Sequence, residues 1–312
     1  MGRIKKWVFV TGIPRSGSTF LGKVLCAATG VAYLHEPFNP AKGVKGCTKR
    51  YLYLDRDSEG SQESAVREAV QMLGNLKASY IEKPRISRTA FVDTLSRAVG
   101  GRGGLNQMIA RLTPGLNTGI LKDPTAFLMA DYLFSRHGMK PVIIVRHPAS
   151  WYASWKRMGW QTNMDLMFAQ PAVVQKYLFD DVDLFKRVRT GSVEEAALFW
   201  KSVYCVLLTQ ADKHGWTVIK HEDLSLNPVD EAKKLYQDLA LPWSSRVERK
   251  IERWTTNNSA DAPSGRPLDI RRDSANIFSS RIAEVSDDER TVLYKMTLPI
   301  SSRFYDEKTF DI

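Results

Sequence analysis

The sequence predicts an α/β fold in which a parallel sheet of about five strands is flanked by helices. Three observations predict it. Short apolar runs alternate with amphipathic helical patterns along most of the chain. The first run leads through a loop rich in glycine and hydroxyl residues straight into a helical pattern, and a later run ends in Arg-x-Pro before another helix. Parallel strands need crossover connections of this length, which hairpins cannot supply.

Taken in order, the expected strands are Trp7–Thr11, Val31–His35, Gly119–Leu121, Val142–Val145 and Thr217–Ile219. Phe20, Leu21, Val24, Leu25 and Ala28 recur at helical spacing after the first loop, and Gly30 ends that pattern. An insertion from about Pro40 to Leu116 separates the second and third strands and holds the glycine cluster Gly100, Gly101, Gly103 and Gly104. Insertions at the strand ends of an open sheet shape or cover substrate pockets, so a helical, substrate-covering segment is expected there. Asp123 and Pro124 read as the N-cap and first-turn proline of a helix ending at Gly138. Ser192 with Glu195 forms a capping box for a long apolar helix that stops near Gly215, and Ser286 with Glu289 forms another. Asn257 to Ser274, rich in Pro, Asn, Ser and Arg, reads as a surface loop. With no internal repeat, residues 1–312 are expected to make a single domain.

Composition narrows the function classes. The 312 residues are 43% hydrophobic and 25% charged, an ordinary globular balance. Cys26, Cys47 and Cys205 are too few for a disulfide framework and lack metal-ligand spacing, which fits a reducing, cytoplasmic setting and no metal. No apolar stretch approaches the roughly 18 residues of a spanning helix, so no transmembrane segment is expected. Lys and Arg number 45 against 34 acids, a net +11 that favours anionic ligands. Nucleic acid is not the expected partner, because neither paired zinc ligands nor an aromatic ribonucleoprotein strand is present.

The loop Gly12-Ile13-Pro14-Arg15-Ser16-Gly17-Ser18-Thr19 lies between a strand and a helix, the setting of a phosphate-binding loop. There, backbone N–H groups converge on an anion, and the helix N-terminus adds partial positive charge. The spacing Gly12 to Gly17 matches the nucleotidase form, yet Ser18 stands where that form places lysine. Without that lysine Mg-ATP chemistry is disfavoured, and a phosphate-loop kinase or nucleotidase using ATP is kept as the alternative. A sulfuryl group carries less charge than a phosphoryl group and can move without a metal. Further on, Arg146 ends a strand, Pro148 suits the first turn of the next helix, and Ser154 follows two turns in. The ends of the first and fourth strands open on one edge of a doubly wound sheet, where ligands bind, so two anion sites are expected.

Pro14-Arg15-Ser16-Gly17-Ser18-Thr19 resembles the first cosubstrate motif of the sulfotransferase family, and Arg146, Pro148 and Ser154 resemble its second, an R-x-P with a serine eight residues after the arginine. His221-Glu222-Asp223-Leu224 is similar to a segment after the last sheet strand of many members. The stretches Leu34–Pro40 and Leu121–Pro124 look like those of bacterial members acting on carbohydrates or small metabolites. The resemblance implies a phosphate-loop fold binding 3′-phosphoadenosine 5′-phosphosulfate (PAPS) as cosubstrate, with no metal. It implies that Arg15, Ser16, Gly17, Ser18 and Thr19, with Phe20, hold the 5′-phosphosulfate, and that Arg146 and Ser154 hold the 3′-phosphate. Arg271-Arg272-Asp273-Ser274 resembles the basic loop that closes on that phosphate, which brings in Arg271 and Arg272. The insertion from Pro40 to Leu116 has no counterpart in the resemblance.

Transfer to a hydroxyl or amine calls for a base near the acceptor. The family's cytosolic members place a histidine at the end of the third strand, but Lys122-Asp123-Pro124 stands there. Glu36 is the first candidate, with the competing reading that it caps the turn through Pro37. His35 is the second, although strand alternation points the two to opposite sides. Lys122 is a candidate cation for the transferring group, and Asp123 reads as a helix cap before an acid. His137, His214 and His221 receive no chemical role. Of Trp151, Trp155 and Trp160, at least two are expected in the core, leaving room for one to stack on adenine or sugar. The acceptor itself, a carbohydrate, lipid or small metabolite, is not legible.

Overall fold

The structure, a computed structural model, describes residues 3–81, 101–255 and 282–312. Its sheet is parallel, with strands β1 (Lys6–Thr11), β2 (Val31–His35), β3 (Thr118–Lys122), β4 (Lys140–Val145) and β5 (Thr217–Lys220) in the order β2-β3-β1-β4-β5. All five expected strands are present, each within two residues of its predicted bounds. Val8, Phe9 and Val10 of β1 and Val142 to Val145 of β4 are fully or nearly fully buried, as apolar strands covered on both faces must be. The order reverses beside β1, the position where doubly wound sheets bind ligands at their carboxyl ends.

The chain packs as two compact units, one of residues 1–11, 18–142 and 235–247, the other of residues 12–17, 143–234 and 248–312. In the first, β3 pairs with β1 and β2, and Lys122 lies opposite both Val10 and His35 in register. Helix Ser18–Leu25 packs so closely on these strands that a Cβ on Gly22 would sit 2.8 Å from the Tyr33 ring. From the insertion come helices Ser61–Gly74 and Gly101–Arg111. The second is pinned by Gln107, which bonds both the N–H and the carbonyl of Ala78 at 2.9 and 3.0 Å. Gly100 and the whole Asn257–Ser274 stretch lie outside the described residues.

The second unit is organised by helix Val193–His214, whose Phe199, Trp200, Val203, Tyr204 and Leu207 are fully buried and which packs along helix Asp287–Ser301. Its predicted cap is half formed. Ser192 Oγ accepts from Glu195 N, but the Glu195 carboxylate turns to Gly191 N and Thr162 Oγ1 instead of closing the box. The box at Ser286 and Glu289 is complete. The Asp123-Pro124 helix needs correction. A 3-10 turn spans Phe127–Met129, and the α-helix runs only from Ala130 to His137, although Gly138 ends it in the left-handed region as expected. Asp123 accepts from Thr125 N and Oγ1 and from Phe38 N, so its oxygens are engaged in the turn before a helix can begin. Among the described residues there is no disulfide, no cluster able to hold a metal, and no helix long and apolar enough to cross a membrane.

Candidate active site

The glycine loop after β1 is shaped by positions that no other residue fills. Gly12 has φ 152°, and a Cβ there would lie 2.4 Å from the Ile144 carbonyl oxygen. Gly17, at φ 96°, would place a Cβ 2.5 Å from His221 Nδ1. The loop is held from outside by Trp151, whose Nε1 donates to the Pro14 carbonyl at 2.8 Å. Inside it, Ser16 is fully buried, and among the described residues neither its Oγ nor the buried His221 Nδ1 has a partner. Buried hydroxyls and ring nitrogens are rarely left unbonded, so a polar ligand fits this place better than apolar packing does. Burial and the Arg146 charge push the His221 ring down to about 3, which keeps it neutral at physiological pH. Ser18, Thr19 and Phe20 begin helix Ser18–Leu25.

At the end of β4, Arg146 is buried, and burial lowers its guanidinium to about 10, still cationic near neutrality. Its Nε and Nη2 donate to Ser150 Oγ at 3.1 and 2.9 Å, and its Nη1 donates to the Arg15 carbonyl at 3.0 Å. Arg15, held at φ 77°, donates through Nε and Nη2 to Ser154 Oγ at 3.2 and 3.1 Å, with its guanidinium 5.7 Å over the Trp160 ring. Helix Pro148–Lys156 begins at the expected proline. Residues 146, 150 and 154 recur at the four-residue helical spacing, and Ser150 and Ser154 therefore share a face. Ser154 was found from sequence and Ser150 was not, though that spacing was its signal. The residues of the two expected anion sites are bonded together, because Arg15 donates to Ser154 and its carbonyl accepts from Arg146. Trp151 and Trp155 are buried and Trp160 is 45% exposed, as two core residues and one accessible ring require.

The other unit carries a buried carboxylate cluster. Glu36 follows β2 at φ 48°, which breaks the strand's alternation at that residue. His35 and Glu36 consequently do not point to opposite sides: His35 Nε2 lies 3.7 Å from Glu36 Oε1. Glu36 Oε1 takes Lys122 Nζ at 2.7 Å, and Oε2 takes Lys42 Nζ at 2.8 Å and Asn39 Nδ2 at 2.9 Å. Each oxygen thus takes a lysine, and Oε2 also accepts from Asn39 in the turn through Pro37, so ion pairing and turn capping coexist. Burial opposes ionisation of Glu36, but the Lys122 and Lys42 ammonium groups outweigh it and hold the carboxyl well below the usual carboxylate range. His35 is pushed down to about 2 by burial and by Lys122, and its Nδ1 bonds the Tyr33 hydroxyl at 3.1 Å. Lys122, 2% exposed, is drawn down by burial while its pair with Glu36 works the other way. Asp123 rises to about 6 through burial and the nearby Glu36 charge. Arg271 and Arg272 lie outside the described residues.

A model described as "Sulfotransferase family" matches residues 8–245. Among curated proteins no relative matches. Of solved structures, mouse sulfotransferase SULT7A1 complexed with PAP is 11% identical, covering 99% of this chain and 89% of its own at a TM-score of 0.46. Sulfotransferase STF9 from Mycobacterium avium is also 11% identical, covering 97% and 78% at 0.46. The sulfotransferase domain from the curacin biosynthetic pathway is 15% identical, covering 97% and 99% at 0.43.

Proposed function

Because the chain belongs to the sulfotransferase family, whose members use PAPS, we propose that it moves the sulfuryl group of PAPS to a hydroxyl or amine of a carbohydrate, lipid or small-metabolite acceptor. The observation that carries this reading is the junction of Arg15, Ser154 and Arg146 beside the unpartnered Ser16 hydroxyl. Arginine forks and hydroxyls suit phosphate and sulfate oxygens, and the missing loop lysine is not needed for a transfer without a metal.

Bound there, the donor presents two anionic ends. Ser16, Ser18, Thr19 and the loop amides take the 5′-phosphosulfate, Arg146 and Ser154 take the 3′-phosphate, and Arg15 serves between them. In the in-line step, the acceptor's oxygen or nitrogen forms a bond to sulfur while the bond from sulfur to the bridging phosphate oxygen breaks. The desulfated nucleotide, 3′-phosphoadenosine 5′-phosphate (PAP), leaves, and the acceptor's proton passes to a base. Glu36 is assigned as that base because, although its lysine partners make it a weak one, it is an anion with two accepting oxygens, whereas the His35 ring spends Nδ1 on the Tyr33 hydroxyl. Lys122 holds the Glu36 carboxylate in place and supplies a nearby cation. Asp123, committed to the turn through Thr125, has no part in the transfer. A reducing, cytoplasmic setting belongs to the same proposal.

Thermal unfolding separates this reading from an ATP-dependent one. PAP is expected to raise the melting temperature in EDTA, and Mg-ATP at the same concentration is expected not to. The reverse result defeats the proposal. Labelled sulfuryl donor offered first with sugars and glycolipids, then with phenols and amines, identifies the acceptor.

A further inference from the structure

The family model stops at residue 245, yet the strand end that carries Arg146 is fastened by residues well beyond it. The His147 backbone N–H, one residue after Arg146, donates to Glu222 Oε1 at 3.0 Å, and the other oxygen of Glu222 accepts from the Tyr305 hydroxyl at 2.8 Å. The His147 ring bonds Thr309 Oγ1 through Nε2 at 3.2 Å and lies between Tyr305 and Phe310, with ring centroids 4.7 and 4.2 Å away. The Arg146 carbonyl is held separately by Trp200 Nε1 at 3.0 Å. Helix Pro148–Lys156 is tied to the same C-terminal segment, since Tyr152 and Lys156 both bond Glu289.

We propose that the C-terminal segment is part of the cosubstrate site, with Tyr305 and Thr309 as positioning residues that set the Arg146 guanidinium through Glu222 and His147. This rests on the reading of Arg146 as a phosphate ligand. The physical reason lies in Glu222, which is buried and receives two donors on opposite oxygens. Removing the Tyr305 hydroxyl leaves one oxygen of a buried carboxylate unbonded, and such a group reorients or takes up a proton. Either change loosens its hold on the His147 amide, and with it the turn on which the fork of Arg146 is aimed at both Ser150 and the Arg15 carbonyl. Thr309 does the same for the His147 ring from the other side.

The test is calorimetric titration of PAP into the full chain, alongside PAPS kinetics. Tyr305→Phe is expected to weaken PAP and raise the KM for PAPS about tenfold while kcat at saturation stays within twofold. Thr309→Val, on a partly exposed residue, is expected to do so by about threefold. In a Glu222→Gln background, Tyr305→Phe is expected to add little, because the bond it removes no longer fixes a carboxylate. Leu293→Ala, at a fully buried apolar residue of helix Asp287–Ser301 whose side chain makes none of these hydrogen bonds, serves as the control expected to lower the melting temperature with PAP affinity kept. The inference is overturned if wild type binds PAP and Tyr305→Phe and Thr309→Val bind equally well, or if Leu293→Ala weakens PAP as much as they do. Wild type that fails to bind PAP at all overturns the functional reading instead, and this inference with it.

Discussion

Arg15 directs both Nε and Nη2 at one neutral acceptor, the Ser154 hydroxyl. A guanidinium fork matches a phosphate or carboxylate far better than a single hydroxyl. The pairing orders Arg15 beside Arg146. Ser154→Ala removes both that anchor and the proposed phosphate donor. PAP affinity is expected to fall by about 1.5–3 kcal/mol, the usual scale for hydrogen bonds to charged groups, as read by calorimetry at fixed ionic strength.

Arg146→Ala removes the proposed charge-assisted phosphate contact, of the same scale at roughly 1.5–3 kcal/mol, and also the bonds to Ser150 and the Arg15 carbonyl. Arg146→Lys keeps the charge but not the fork that reaches two acceptors at once, so it is expected to restore only part of the loss. Unchanged PAP binding in Arg146→Ala would sink the assignment of the 3′-phosphate site.

How far the sequence reached can be judged at these residues. Strand positions were legible because a buried parallel strand is a nearly unbroken apolar run between turn signals, and Val142 to Val145 is that. Arg15, Arg146 and Ser154 were singled out from local spacing, and the structure brings them together through the Arg15–Ser154 and Arg146–Arg15 bonds. Glu36 and His35 were misjudged in direction because alternation holds only while φ stays negative, and Glu36 lies at φ 48°. The Glu36–Lys122 pair joins residues 86 apart, and the Tyr305–Glu222 bond joins residues 83 apart. No local pattern announces such contacts. His221, given no role from sequence, turned out to abut Gly17, a closeness created by folding and invisible in its surroundings along the chain.

That closeness makes Gly17 a sharp test. An alanine there needs a backbone at φ 96° and would bring its Cβ to 2.5 Å from His221 Nδ1. Gly17→Ala is expected to abolish measurable PAP binding. Adding His221→Ala clears the collision but not the backbone strain, so binding is expected to return only in part. Full return would show that conformational freedom at Gly17 is not required.

Glu36→Gln separates chemistry from binding. The amide keeps the shape and the bond to Lys122 but cannot take a proton, so turnover is expected to fall by about 10²–10⁴ with PAP affinity nearly intact. It also takes from buried Lys122 its ion-pair partner, a loss on the order of 3 kcal/mol of stability. Assays belong well below the variant's melting temperature. If turnover survives, the base lies elsewhere.

His35 sets a stability signature in mildly acid solution. Its folded value of about 2 lies far below the 6.5 of an exposed histidine, because burial and Lys122 resist its protonation. Below pH ~6.5 the unfolded chain binds a proton that the folded chain refuses, so stability falls as pH falls and is regained as pH rises toward 7. One such group contributes about 1.4 kcal/mol per pH unit once the unfolded histidine is fully charged. His35→Asn keeps a polar atom for the Tyr33 hydroxyl and cannot titrate. Between pH 6 and 4, urea unfolding of wild type is expected to lose stability faster than that of His35→Asn by about that slope. Parallel curves would mean that His35 charges in the folded protein, and that the Lys122–Glu36 cluster does not shield it as its geometry requires.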